Sequence, residues 1–264
     1  MSKQNSVLKV KGSLDDVSYY KSNGRLLARK THRVEKDAIL SGPGYQRTRE
    51  NMSEFGAAIA AAKSFRIAFN DAKTMMDSRV SNRLTSLFKK ILNLDAAGIR
   101  GQRAVQLSQH KEMLEQFNFS LLPTFSQACT AFSDTALNAA RNEGTIKLTR
   151  FNPMLQVDFP KGATHCKLVQ AIGVVVDLEY DPATGKYLPV NSAPKNPGAI
   201  TRSDILHRHA LPQDITITAA FPNAPDIEPE SSIIQCLGIE FYQVVGGREY
   251  ILAGSNSMVV VNIR

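Results

Sequence analysis

Two histidines one residue apart, His207-x-His209, would put both imidazoles on one face of an extended chain, which is how a metal site begins. Zinc takes three or four such ligands, and the surrounding RSDILHRHALP supplies no third, so the pair reads as surface decoration. His165-Cys166 has the residue types of a nucleophile and its base. Strand neighbours point to opposite faces, however, and Cys166 is followed by KLVQAIGVVV, the pattern of a core strand, which predicts a buried thiol. Ser41-Gly42-Pro43-Gly44 has the glycines of a phosphate loop but lacks the preceding strand and the lysine, and reads as a helix lead-in. The carboxylates Asp15-Asp16 and Asp226-x-Glu228-x-Glu230 fall in turns or loops, where solvated charge is the default. There is no G-x-S-x-G, P-loop or dinucleotide fingerprint. The residues therefore predict no enzyme, no cofactor, no metal site and no small-molecule substrate.

Charge is distributed unevenly. Residues 1–116 hold 21 Lys+Arg against 11 Asp+Glu, and residues 117–264 hold 11 against 13. At 264 residues two structural units are expected, drawn here as a basic hairpin-plus-helix domain over 1–116 and a β-sandwich domain over 117–264. A hydrophobic fraction of 43% and a charged fraction of 21% are those of an ordinary globular protein. Cys129, Cys166 and Cys236 are far apart and odd in number, which fits buried thiols in a reducing compartment. The polar start MSKQNSVLKVKGS lacks a signal-peptide run and no stretch has the ~20 apolar residues of a membrane span, so a cytoplasmic protein is expected.

The elements that must position these residues follow from periodicity. Residues 6–30 read as a hairpin turning at Lys21-Ser22-Asn23-Gly24, with Val17 and Tyr19 on one face and Tyr20 on the other. From Tyr45 to Phe69 the stripe Met52, Phe55, Ile59, Ala62, Phe65 and Phe69 predicts an amphipathic helix, whose small residues Gly56, Ala57, Ala58, Ala60 and Ala61 permit close approach of a neighbour. A second helix is predicted over 72–93, antiparallel to the first, and a third over 103–116. Beyond Phe117, strands are predicted over 145–150, 155–159, 165–180, 215–221, 232–245, 249–253 and 258–263, with a short helix over 132–142. The fold class is α+β: an N-terminal β-hairpin and helical hairpin followed by an Ig-like or jelly-roll-type antiparallel β-sandwich.

The segments VKGSLDDVSYYKSNGRLLARK, GPGYQRTRENMSEFGAAIAAAK and FPKGATH carry a resemblance to a family of uncharacterised conserved proteins of Bacteroidota. The resemblance implies a Gly-led hairpin at Gly12, an RTREN helix entry at Arg47 to Asn51 and a GATH turn at Gly162 to His165, and no established activity. Glu50 suits the dipole of a helix start and the arginines do not, which predicts specific partners for Arg47 and Arg49, carboxylates of the β part or of another subunit.

An isolated hairpin is marginal in water, so it must dock, and opposite charge on the two parts predicts head-to-tail self-association into a ring, filament, tube or phage-like particle. The assembly interface is expected at Tyr19, Tyr20, Arg25, Arg29, Arg33, Arg47 and Arg49 on one side and Asp226, Glu228 and Glu230 on the other. The alternative partner is nucleic acid, held by its phosphate backbone on Arg79, Arg83, Lys89 and Lys90.

Overall fold

The computed structural model describes residues 2–3, 10–22, 24–31, 34–192, 194 and 197–264. Its chain forms two compact units, Met1–Arg49 and Glu50–Arg264. The boundary expected at 116 is therefore wrong, and the reason is packing: residues 50–119 share one core with the β structure that follows them.

The N-terminal unit is a four-stranded antiparallel sheet of β1 (Ser2–Lys3), β2 (Gly12–Leu14), β3 (Val17–Ser22) and β4 (Arg25–Lys30), in the order β1-β4-β3-β2. Tyr20 pairs with Leu27 and Tyr19 with Ala28. The turn between β3 and β4 requires a left-handed residue, met by Gly24 at φ +76°; Asn23 lies outside the described residues. A short helix, α1 (Lys36–Ser41), follows.

The larger unit begins within α2 (Gln46–Ala68), whose first turn is counted with the N-terminal unit, and continues through α3 (Val80–Leu94). Glu54 near the start of α2 meets Lys89 near the end of α3, so the helices run antiparallel. After α4 (Phe125–Ala128) come β5 (Asp134–Leu137), β6 (Glu143–Phe151), α5 (Pro153–Gln156) and β7 (His165–Val176). The hairpin β8 (Leu178–Asp181) and β9 (Lys186–Pro189) precedes β10 (Gly198–Arg202), β11 (Leu206–His207), β12 (Gln213–Ala220), β13 (Ser231–Val245), β14 (Arg248–Ile251) and β15 (Ser257–Ile263). The class is α+β, and every strand pairing is antiparallel.

β7 and β13 lie side by side at the centre of a six-stranded sheet, paired over twelve residues. One face, bearing Val169, Ala171, Val175, Ile234 and Cys236, is covered by Ala61, Phe65, Phe69, Leu84 and Phe88 of the helical layer. The opposite face, bearing Cys166, Leu168, Leu237, Ile239 and Phe241, meets Ile146, Leu148, Ile215 and Ile217 of the small sheet β12-β6-β5. Ile172, Val174 and Ile233 extend that second interface against Ala219 and Phe221. Each fully buried Leu, Ile or Phe contributes roughly 1.5–3 kcal/mol, so neither covering layer is dispensable.

Several local expectations are corrected. In α2 the buried face is Glu54, Ala57, Ala58, Ala61, Ala62, Phe65 and Ala68, whereas Met52, Phe55 and Ile59 are about half exposed. Small residues are selected there because the helix passes close to the sheet: a methyl group on Gly173 would collide with the Phe69 ring, and one on Gly198 with the Ala68 carbonyl oxygen. Residues 70–75 form a 3₁₀ turn and α3 starts at Val80; the expected helix over 103–116 is two 3₁₀ turns. Residues 134–137 are a strand and 153–156 a helical turn, the reverse of the expected types, because β5 pairs with β6 and Asn152 caps a Pro-led turn by accepting from the Met154 N–H.

Glu54 is the one buried carboxylate of α2, held by Lys89, the Gly101 N–H at 2.8 Å and Arg103. Burial works to raise its pKa, but the Lys89 bond, the Gly101 amide and the charges of Lys89 and Arg103 together hold it below the ordinary carboxyl value. Asp77 and Asp95 are likewise depressed, against the effect of burial, by backbone amides and by Arg83 or Arg103.

Two predictions follow from packing and charge. Gly198→Ala should unfold β10 from the end of α2 and lower stability by about 2 kcal/mol or more, whereas Gly56→Ala, in open space on α2, should raise it by roughly 0.5–1 kcal/mol; urea denaturation checks both signs. A depressed carboxyl contributes stability above its unfolded pKa of about 4 and loses it as pH falls through the folded value. Melting temperature should therefore drop below about pH 4, and Glu54→Gln should flatten that acid limb. An unchanged limb would exclude Glu54 as a source.

Candidate interaction surfaces and the polar end of the central sheet

The N-terminal sheet is the element least like a self-sufficient fold. None of the described residues among 10–49 is buried. Strand alternation divides its side chains cleanly. Leu14, Val17, Tyr19, Leu26 and Ala28 form an apolar face with Lys21 and Lys30 at its margins, and Ser13, Ser18, Tyr20, Ser22, Arg25, Leu27 and Arg29 form the other. On that second face the Arg29 guanidinium lies 5.5 Å from the Tyr20 ring centroid, and the Ser18 hydroxyl bonds those of Ser13 and Thr31. Tyr19 and Tyr20, expected at one interface, thus belong to opposite faces. Arg25 and Arg29 join Tyr20; Arg33 lies outside the described residues.

The charge asymmetry is sharper at the observed boundary than at the expected one. Residues 1–49 hold 11 Lys+Arg against 4 Asp+Glu, leaving the other 215 residues nearly balanced at 21 against 20. Arg49 is spent inside the N-terminal unit: its Nη1 donates to the carbonyls of Ile39 and Gly42, at the C-terminal end of α1 where cations are favoured. The carboxylate partner expected for Arg49 is thereby replaced by backbone oxygens. Arg47 is exposed on the first turn of α2.

The four cations expected to hold nucleic acid are divided by the structure. Arg83 donates to the carbonyls of Asn118 and Phe119 and to Asp77, and stacks on Phe117, while Lys89 is bound to Glu54. Both act as internal ties. Arg79 and Lys90 line a groove of about 440 Å³ with Asn82 and Ser86, and Lys90 also lines one of about 690 Å³ with Phe55 and Ile59. On the other side, Asp226 and Glu228 are exposed on the 222–230 loop, and Glu230 accepts from Asn191 at 3.3 Å.

A second surface was not anticipated from sequence. Phe132 is 93% exposed and Leu211 83%, and Met154 and Leu155 on α5 are also exposed. The pairing of Gln213 with Phe151, of Cys129 with Val157 and the bond from Thr130 N–H to Gln156 O bring the segments that carry these four residues to one end of the small sheet, near α5. Large apolar side chains this exposed and brought to one end of a sheet make that end a candidate interaction surface.

Chemistry-bearing side chains also converge at the His165 end of β7. Glu240, fully buried, accepts from Arg202 Nε and Nη2 at 2.8 Å each and from the Tyr242 hydroxyl at 2.8 Å. Lys167 bonds Glu249 at 2.6 Å and lies over the Tyr242 ring. Burial first, and then the bond to Glu240, pushes the Tyr242 pKa up to about 12. Nearby, the rings of His165 and His207 meet edge to face at 4.8 Å and His209 follows at 5.5 Å. His207 Nδ1 accepts the His209 N–H, and Thr164 Oγ1 accepts the Val244 N–H and shares a 2.8 Å hydrogen bond with His165 Nδ1. Among the described residues no group of three His, Cys, Asp or Glu is placed to hold a metal.

His165 and Cys166 point to opposite faces, as their alternation requires; Cys166 is in the inter-sheet core, where burial pushes its thiol up to about 12. Burial likewise raises Cys129 to about 11 and Cys236 well above its ordinary value. The buried acid Glu240 escaped sequence reading because its partner, Arg202, is 38 residues away and reaches it only through the pairing of β10 and β13 with β7. No family model, curated protein or solved structure matches the chain.

The polar cluster is read as a structural tie, which predicts its behaviour. Arg202→Met should strand the Glu240 charge and lower stability by about 3 kcal/mol, while Arg202→Met combined with Glu240→Leu should recover most of the loss. Equal losses in the single and double variants, by urea denaturation, would contradict the pairing.

Proposed function

We propose that this is a non-enzymatic, cytoplasmic structural subunit that assembles head-to-tail with copies of itself, its N-terminal unit docking on the larger unit of a neighbour. The observation that carries the reading is the N-terminal sheet: ordered pairing over four strands, an apolar face of Leu14, Val17, Tyr19, Leu26 and Ala28, and no buried residue among those described. A unit of 49 residues with no buried side chain among those described needs a partner surface for stability. The surface it matches best is the apolar end of the small sheet, where Phe132, Met154, Leu155 and Leu211 are uncovered. Lys21 and Lys30 at the margins of the docking face would meet exposed carboxylates beside that end, Asp158 and Asp214, which tune encounter rate more than affinity, whereas Asp226 and Glu228 lie at the opposite end of the small sheet, beside Arg141 and Asn142.

The contact is heterologous, since one face meets a different one, and such contacts propagate into rings, filaments, tubes or particle shells. The two stacked sheets are taken as a jelly-roll-type sandwich with one face sheathed by helices, a platform whose loops and ends are available for neighbours. Arg49 has no part in this contact.

Light scattering of the purified chain should show a large oligomer. Tyr19→Glu with Leu26→Glu, and separately Phe132→Glu with Leu211→Glu, should each release monomers whose larger unit melts at the parental temperature. A monomeric parent at high concentration would end the assembly reading, and oligomers surviving only the second pair would move the acceptor elsewhere.

A further inference from the structure

We infer that the N-terminal unit binds single-stranded nucleic acid on the face of its sheet opposite the apolar one, through Arg25, Arg29, Tyr20 and the serines between them. This site is distinct from the α3 face, where two of the four candidate cations are already committed to Asp77, Glu54 and backbone carbonyls. It is also independent of self-assembly, which uses the other face.

The electrostatic argument comes first. Nearly all of the molecule's net charge of +8 resides in residues 1–49, whose 11 cationic side chains face only 4 acids. Self-repulsion at that density is relieved by a polyanion, which also gains by releasing its condensed counterions. Acidic cover from the rest of the chain is not available in bulk, because residues 50–264 are close to neutral. In the larger unit, by contrast, Glu50, Glu54 and Asp77 are each placed against an arginine or lysine.

Side-chain placement then favours a single strand. Arg25 sits opposite Ser22 and Arg29 opposite Ser18, so two guanidiniums and their hydroxyl neighbours share one pleated surface. Arginine reaches phosphate with two parallel N–H donors, and serine hydroxyls add single ones. Tyr20, half-buried between them, presents an aromatic ring already flanked by Arg29, a platform on which a base stacks without sequence preference. Bases are available for stacking in a single strand and not in an intact duplex. Among the described residues that face carries no acid: Asp15 and Asp16 lie in the β2–β3 turn. Strand lengths of six residues in β3 and β4 suit a short footprint of a few nucleotides.

Fluorescence anisotropy with a labelled 20-nucleotide oligodeoxythymidylate tests the proposal on the full chain. The parent should bind with an affinity that falls as salt rises. Arg25→Glu with Arg29→Glu should weaken binding roughly tenfold or more and shrink the slope of log K against log salt by about 1.4, the share of two single-strand phosphates. Tyr20→Ala should cost about fivefold or more, with Tyr20→Phe retaining parental affinity because stacking needs the ring and not the hydroxyl. Arg79→Glu with Lys90→Glu should leave binding unchanged. Light scattering on the same samples separates the two readings: the Arg25/Arg29 variant should keep the oligomer while losing the oligonucleotide. Parental affinity in that variant, loss in the Arg79/Lys90 variant instead, or equal affinity for a duplex or for polyglutamate would overturn the inference.

Discussion

Burial of β7 and β13 on both faces is the constraint from which the larger unit follows. Every residue from Leu168 to Leu178 and from Ser231 to Tyr242 is buried, so this pair of strands cannot exist in water without a layer above and a layer below. The small sheet supplies one and the helices the other. That is why residues 50–119, though basic and helical, are no separate domain: detaching them would expose the face bearing Val169, Ala171, Val175, Ile234 and Cys236. The alanine-rich flank of α2 is part of the same constraint. With Gly173 and Gly198 below it, the helix lies close enough to the sheet that larger side chains would overlap backbone or ring atoms, and Phe65, Phe69 and Phe119 fill the space beside that close approach.

Where charge enters this core it is consumed there. Glu54 is met by Lys89, Arg103 and the Gly101 amide, and Glu240 by Arg202 and Tyr242. Asp177, whose pKa burial raises, accepts from the Ser108 amide and hydroxyl. Low dielectric makes an unpaired partner in any of these costly, so the cations of the helical layer that touch the core are not available for a ligand. Pairing also explains the shift in where charge is functionally interesting. The first 116 residues are basic as a whole, yet the helical portion carries acids to match most of its cations, and most of the surplus is left in residues 1–49.

Much of the architecture was legible from alternation and turn chemistry. The hairpin around Gly24, the helix through residues 46–68, the core strands at 165–176 and 231–245, and the opposite aims of His165 and Cys166 all follow from local pattern. What local pattern missed was set by pairing at long range. The buried face of α2 could not be read from its largest apolar residues, because Met52, Phe55 and Ile59 are left half exposed by the tight approach of the alanines. A strand at 134–137 is dictated by its partner β6 rather than by the helix-prone Ala136 and Leu137. The apolar group of Phe132, Met154, Leu155 and Leu211 comes from three separate segments, so it has no signature in any one of them. The unit boundary was misplaced for a similar reason: composition changes at 116, but the core does not.

The N-terminal sheet differs from the rest in being decided almost wholly by its register. With side chains alternating every residue, the pairing of Tyr20 with Leu27 assigns Tyr19, Leu26 and Ala28 to one surface and Tyr20, Arg25 and Arg29 to the other. A slip of one position between β3 and β4 would mix arginines among the apolar groups and leave neither surface coherent. The left-handed Gly24 closes the turn that this register requires, between an apolar face and one bearing two arginines. In the proposed assembly a sheet divided in this way would let one partner bind without displacing the other, and a bound polyanion would then lie beside the contact between subunits, where its charge would offset the repulsion of adjacent basic arms.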